Sequence, residues 1–164
     1  MDNSQIFCTF RGYELMDSKN KVITSSMEDY LEMIYRVTKN NEYLKVGELA
    51  KLLHVKPSSS TKMVEKLINL GLINSKKYGL VSLSEEGTRI GEFLLNRHNI
   101  IEEFLNIISP NENTLVETEL IEHHLSKNTI DSIKIFNEFI NINPKIYNDF
   151  INFKNKKLLP LNNK

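Results

Sequence analysis

The chain has one cysteine, Cys8. A single thiol cannot form an internal disulfide, cannot build a multi-thiolate metal site, and points to a reducing cytoplasm as the setting. No apolar run approaches the roughly 18 residues of a membrane span. Residues 1–5, Met-Asp-Asn-Ser-Gln, lack the basic start and apolar core of a signal peptide. The sequence shows no internal repeat, and no strand-like segment follows residue 83.

Net charge is also lacking, since 21 Lys and Arg balance 21 Asp and Glu, but the distribution is uneven. Residues 45–80 hold seven lysines (45, 51, 56, 62, 66, 76 and 77) against Glu48 and Glu65, a net of +5. Residues 84–125 hold nine acids against Arg89 and Arg97, a net of −7. A basic segment followed by an acidic one suggests two tasks, polyanion contact and cation capture. At 164 residues, 40% of them hydrophobic, the chain suits one compact domain or a small one with a helical extension.

Residues 1–24 form a mixed arm to which the sequence assigns no role. A first helix is expected from Ser25, with Glu28 completing a capping box and Leu31, Ile34 and Tyr35 as the buried stripe. Asp29 and Glu32 share another face at i, i+3. A second helix spans about Gly47 to Val55, burying Leu49, Leu52 and Leu53. Pro57 opens a third, with Met63, Val64, Leu67 and Leu70 apolar and Gly71 ending it. Together they make a helix-turn-helix candidate. The exposed start of the third helix holds Ser58, Ser59, Ser60, Thr61 and Lys62, small hydroxyls and a lysine able to approach bases and phosphates. Residues 73–83 read as a hairpin closed by Gly79, with Lys76, Lys77 and Tyr78 at its tip. A basic hairpin in that position is a wing whose lysines would meet phosphate. The DNA-facing set is therefore Lys56, Pro57, Ser58, Ser59, Ser60, Thr61, Lys62, Lys66, Lys76, Lys77 and Tyr78.

Ser84 caps a long helix running to about Ile108, with Ile90, Phe93, Leu94, Ile101, Phe104 and Leu105 as core positions and His98 in its middle. Residues 110–113 form a turn. In the stretch 117–126, a helix would place Glu119, Glu122 and His123 on one face at i, i+3 and i+4, with Leu120, Ile121 and Leu125 anchoring it in a core. Such a face can bind a divalent cation; a solvated acidic helix with incidental histidines has the same spacing. Further helices follow at Asn128 and Pro144, and the end is a polar tail.

Several of these segments occur together and in order: Ser26-Met-Glu-Asp-Tyr-Leu-Glu32, Lys56-Pro-Ser-Ser-Ser-Thr-Lys-Met-Val64, Tyr78-Gly-Leu80, Arg97-His98 and Ile121-Glu-His-His-Leu-Ser126. The set closely resembles the diphtheria-toxin-repressor family, and within it the manganese-dependent branch of transport regulators. The resemblance covers roughly residues 25–142. It implies a mainly α fold: an N-terminal winged helix-turn-helix with a small β-hairpin wing, then a C-terminal all-helical metal-binding and dimerisation domain. The expected divisions are 1–24 extension, 25–84 winged helix, 85–155 helical domain and 156–164 tail. It implies metal ligands at Asp29, Glu32, His98, Glu119, Glu122 and His123, two Mn²⁺ per subunit, and a homodimer on promoter DNA controlling metal uptake genes. No membrane and no small organic ligand are expected as partners. In that expectation a divalent ion relieves the repulsion of crowded carboxylates and sets the spacing of recognition helices across successive major grooves, roughly 34 Å apart.

Glu119 stands where iron-responsive members resemble one another in carrying sulfur, and an oxygen-rich donor set suits manganese. An SH3-like third domain, present in the longer iron-type members, is not expected after the helices. Two features depart from the family pattern: Gly47 at an expected helix cap, and Ser60 in place of a more apolar residue. The alternatives are an iron-dependent repressor of the same fold, a winged-helix module for a protein partner, and a di-metal enzyme. The last would need Glu-x-x-His units, but Leu95 and Leu120 stand three residues before His98 and His123. The chain is not expected to be an enzyme.

Overall fold

The computed structural model describes residues 23–39, 43–110 and 113–158. The arm at 1–22, residues 111 and 112 of the expected turn, and the tail from 159 lie outside the described residues. Two compact units are present, Met1–Leu94 and Leu95–Lys164. No helix among the described residues is long and apolar enough to cross a membrane.

In the first unit, helix α1 (Ser25–Thr38) buries Met27, Tyr30, Leu31 and Ile34, a spacing that lines one helical face. Its N-cap is Thr24, whose carbonyl accepts from the Met27 and Glu28 amides. The expected capping box on Ser25 does not form, because Ser25 is already inside the first turn. A two-residue strand, β1 (Leu44–Lys45), leads into α2 (Val46–Leu52). Lys45 rather than Gly47 occupies the cap position, so the missing cap side chain at Gly47 has no bearing on where α2 starts. The helix also ends earlier than expected, and Leu52 is exposed while Leu49 and Ala50 are buried.

The turn after α2 is closed by His54 in the left-handed region (φ 52°), with the Val55 amide reaching back to the Ala50 carbonyl at 3.0 Å. Helix α3 (Pro57–Asn69) starts on Pro57 and ends the same way, with Gly71 at φ 72° and the Leu72 amide 3.0 Å from the Leu67 carbonyl. Strands β2 (Ile73–Lys76) and β3 (Leu80–Leu83) form the hairpin, in the register Ile73↔Leu83 to Lys76↔Leu80. The sequence reading lacked β1, which pairs antiparallel with β3 to give the order β1-β3-β2. Two residues carry too little periodicity to announce a strand. The core joins α1, α2, α3 and the sheet through Leu31, Ile34, Leu49, Leu67 and Val81, each contributing about 1.5–3 kcal/mol by burial.

Helix α4 (Glu85–Ile108) is capped by Ser84, whose Oγ accepts from the Gly87 amide at 3.0 Å. Its first turns pack closely within the first unit. A Cβ on Gly87 would stand 2.0 Å from the Leu72 carbonyl oxygen, and one on Gly91 would stand 2.7 Å from Tyr35 Cβ. Phe93, expected in the core, is exposed, because the buried stripe of α4 follows Leu94, Arg97, His98, Ile101 and Leu105.

The second unit contains the rest of α4, then α5 (Thr114–Ile121), α6 (Lys127–Ile142) and α7 (Pro144–Leu158). Ile100, Ile101, Leu105 and Ile130 form its core, flanked by Phe104, Ile121, Leu125 and Ile133. Phe104 meets Phe136 edge-on at 5.6 Å. Ser126 caps α6 by accepting from the Thr129 amide. Buried Asn137 donates to the Ile100 carbonyl at 2.9 Å, and Lys154 donates to the Ile108 carbonyl at 2.6 Å, closing the end of α4.

Helix α5 departs from the sequence reading. It ends at Ile121, with Glu122 as its αR cap and residues 122–124 in a turn. Leu120 was expected to anchor it but is 66% exposed. The buried positions are Thr114, Thr118 and Glu122, at i, i+4 and i+8, so α5 turns a polar face inward.

Gly87→Ala is expected to destabilise the protein by about 1–3 kcal/mol or more, since the added methyl meets backbone rather than a movable side chain. Chemical denaturation of the two proteins checks this; an unchanged midpoint refutes the close packing of α4.

Candidate metal centre and nucleic-acid interface

Four of the six expected metal ligands come together within the second unit. His98, buried in mid-α4, places Nδ1 2.8 Å from Glu122 Oε2 and 3.7 Å from Glu119 Oε1. Its Nε2 lies 4.0 Å from Glu102 Oε2. His123 Nε2 lies 3.6 Å from Glu122 Oε1. Glu122 is only 1% exposed, whereas the Glu119 side chain is 52% exposed. The end of α5 explains the placement. The Glu122 amide still bonds to the Thr118 carbonyl at 3.0 Å, so Glu122 keeps its helical bearing, and His123 follows in the turn. Two carboxylates and two imidazoles within a few ångströms make a mixed oxygen and nitrogen donor set that can hold a divalent first-row cation such as Mn²⁺ or Fe²⁺.

Asp29 and Glu32 lie one turn apart on α1 in the first unit. Glu32 is buried, and its Oε1 accepts from Arg36 Nε at 2.9 Å and Nη2 at 2.6 Å. His124 is exposed in the turn after α5.

Sequence reading assigned no role to two neighbours of the cluster. Glu102 stands four residues after His98, a helical spacing that was available as a signal. Arg97 is buried, with Nη2 3.1 Å from His123 Nδ1 and 3.9 Å from Glu122 Oε1. Nothing in the order of residues shows that its guanidinium turns toward the cluster.

The expected DNA-facing residues lie at the start of α3 and the tip of the hairpin. Lys56, Pro57, Ser58, Ser59, Thr61, Lys62 and Lys66 are exposed. Ser60 is not, contrary to expectation. It is fully buried, with its Oγ 3.4 Å from the Val46 carbonyl. Position 60 shares the inward face with Val64 and Leu67, and only a small side chain lets α2 come this close. Thr61 donates its hydroxyl to the Pro57 carbonyl. At the hairpin tip, Tyr78 is 91% exposed in the left-handed region (φ 65°), next to Gly79 (φ 69°). Glycine adopts this backbone freely, whereas tyrosine does so at an energetic cost, which the flanking strands support. Lys76 lies over the Tyr43 ring at 3.9 Å and contacts its hydroxyl, whereas Lys77 stands exposed at the tip.

Comparison with known proteins bears on both sites. Residues 22–81 match the iron dependent repressor N-terminal DNA binding domain, and residues 84–150 match the iron dependent repressor metal binding and dimerisation domain. The HTH-type transcriptional regulator MntR of Oceanobacillus iheyensis is 48% identical over 111 residues, covering 67% of this chain and 76% of that protein. The chain belongs to the diphtheria-toxin-repressor family, in its manganese transport regulator branch. Among solved structures, the manganese regulator SloR is similar with a TM-score of 0.61 at 26% identity, covering 67% of this chain and 52% of that one. A manganese-dependent transcriptional repressor in complex with manganese gives a TM-score of 0.61 at 25% identity, covering 69% of this chain and 53% of that one. The chain thus spans about half the length of the solved regulators it matches.

Glu122→Ala removes the buried hydrogen-bond partner of His98 and the counter-charge beside Arg97, and is expected to destabilise the metal-free protein by about 3–5 kcal/mol. Glu119→Ala, at a half-exposed position, is expected to change stability by about 0.5 kcal/mol or less. Urea unfolding in the presence of a chelator compares them; equal losses refute this division of roles.

Proposed function

We propose that this chain is a manganese-activated transcriptional repressor that binds promoter DNA as a homodimer and controls metal uptake genes in the cytoplasm. The observation that carries the reading is the His98–Glu119–Glu122–His123 cluster in a chain that also bears a winged helix of the repressor family. It is supported by the solved relative described as manganese-dependent and in complex with manganese. The proposed ligands are these four residues with Asp29 and Glu32 of α1, holding two Mn²⁺ per subunit. The ion supplies positive charge that offsets the repulsion between carboxylates. Metal and DNA then raise each other's affinity reciprocally, by about 1–3 kcal/mol.

The apolar side chains left exposed on the second unit, among them Leu115, Val116 and Leu120 on α5, fit the dimerisation role of that domain. On DNA, α3 enters the major groove and the hairpin contacts phosphate. Base contacts fall to Ser58, Ser59 and Thr61. Lys56, Lys62, Lys66, Lys76 and Lys77 serve the backbone, with Pro57 setting the helix start and Tyr78 at the wing tip. Ser60 belongs to the packing of α3 rather than to the DNA face. Iron is the second reading, favoured by the description of the matched domains. Against it, Glu119 adds a hard oxygen donor rather than sulfur.

Fluorescence anisotropy on the promoter of a manganese importer tests the reading, with Mn²⁺, anaerobic Fe²⁺, Zn²⁺ and a chelator control. Mn²⁺ is expected to tighten binding at least tenfold and Fe²⁺ to do less, and Asp29→Ala is expected to abolish most of the gain. Equal stimulation by Fe²⁺ selects the iron reading; no stimulation by any metal refutes the switch. Lys62→Ala is expected to weaken binding and reduce the salt slope by about one. An unchanged slope removes Lys62 from the phosphate contacts.

A further inference from the structure

Arg97 makes a contact that metal binding cannot keep. A guanidinium has donors only, so its 3.1 Å approach to His123 Nδ1 occupies the lone pair of that nitrogen. A neutral imidazole has one lone pair and one N–H. With Nδ1 accepting, the ring proton sits on Nε2. A metal ion at Nδ1 needs the lone pair that Arg97 already holds. A metal ion at Nε2 moves the proton to Nδ1, where N–H would face the guanidinium's own N–H. Either mode of ligation is incompatible with the Arg97–His123 hydrogen bond.

The guanidinium is also a cation 3.9 Å from Glu122 Oε1, on the carboxylate that accepts from His98 through its other oxygen. Both groups are buried, which strengthens their attraction and makes an unpaired charge costly. Arg97 thus contributes positive charge where the cluster is most in need of it.

We propose that Arg97 is a built-in competitor for the activating cation: it holds His123 and Glu122 in the metal-free protein, releases His123 when metal binds, and so sets the metal concentration for the response. The proposal rests on the metal reading given above, but concerns affinity rather than the identity of the ligands. It assigns Arg97 an opposing role, since a merely supporting residue would strengthen metal binding rather than weaken it.

The test is calorimetric titration of the full chain with Mn²⁺, comparing wild type, Arg97→Gln and Arg97→Lys. Gln removes the charge and can accept a hydrogen bond from an Nδ1–H; Lys keeps the charge. Arg97→Gln is expected to bind Mn²⁺ about tenfold more tightly, as removal of a competing charge at this distance implies. Arg97→Lys is expected to stay closer to wild type. Equal or weaker binding by Arg97→Gln overturns the proposal while leaving the metal reading intact; absence of binding by the wild type overturns both. Imidazole ¹⁵N NMR of the metal-free wild type provides a readout that needs no variant. The Nε2–H tautomer at His123 supports the contact, and the Nδ1–H tautomer overturns it.

Discussion

Glu122 is a carboxylate taken almost completely out of water, and the arrangement around it follows from that constraint. A buried charge is tolerated only with close partners. Glu122 finds them in His98 at 2.8 Å and Arg97 at 3.9 Å, both from α4. Helix α5 therefore presents Thr114, Thr118 and Glu122 inward and leaves Leu115, Val116 and Leu120 outside. One decision about a polar group places the donor cluster on the inner side and an apolar surface on the outer side. The donor cluster and the exposed apolar side chains thus lie on opposite sides of one short helix.

The winged helix follows a different logic. Its core is apolar and continuous, and the elements that carry its exposed lysines are held by that packing. Left-handed closures at His54 and Gly71 stop α2 and α3 abruptly, and Pro57 starts α3 without an unsatisfied amide. Ser60 lets α2 and α3 approach, while its neighbours Ser59 and Thr61 remain outside. The third strand, β1, anchors the hairpin from the side opposite β2, so the wing is the projecting part of a small sheet. Its exposed tip carries Lys77 and Tyr78, while Lys76 leans on Tyr43.

Much of this is legible in the sequence. The helices α1, α3 and α4 and most of their buried positions were clear, though Leu70 and Phe93 are exposed, and so were the hairpin, its glycine turn and the cap at Ser84. Each depends on neighbours within a few residues. The errors share one cause. Ser60 lies in a run of hydroxyl residues that looks uniformly exposed, and only the approach of α2 selects it for burial. Leu120 looks like an anchor because it is apolar, but the inward face of α5 was taken by Glu122. Phe93 sits one position away from the stripe that the packing uses. Strand β1 exists only because β3 offers it a partner.

The sequence by itself determined most of the helices and the hairpin, the basic and acidic segments, and the family to which the chain belongs, because spacing, composition and ordered motifs are properties of the chain. It also carried the candidate donors by residue type. Which donors are buried, which of them lie together and where Arg97 points were decided only by tertiary structure. Those properties depend on distances between α4 and the end of α5, residues more than twenty positions apart. Desolvation acts on such distances, and no local pattern encodes them.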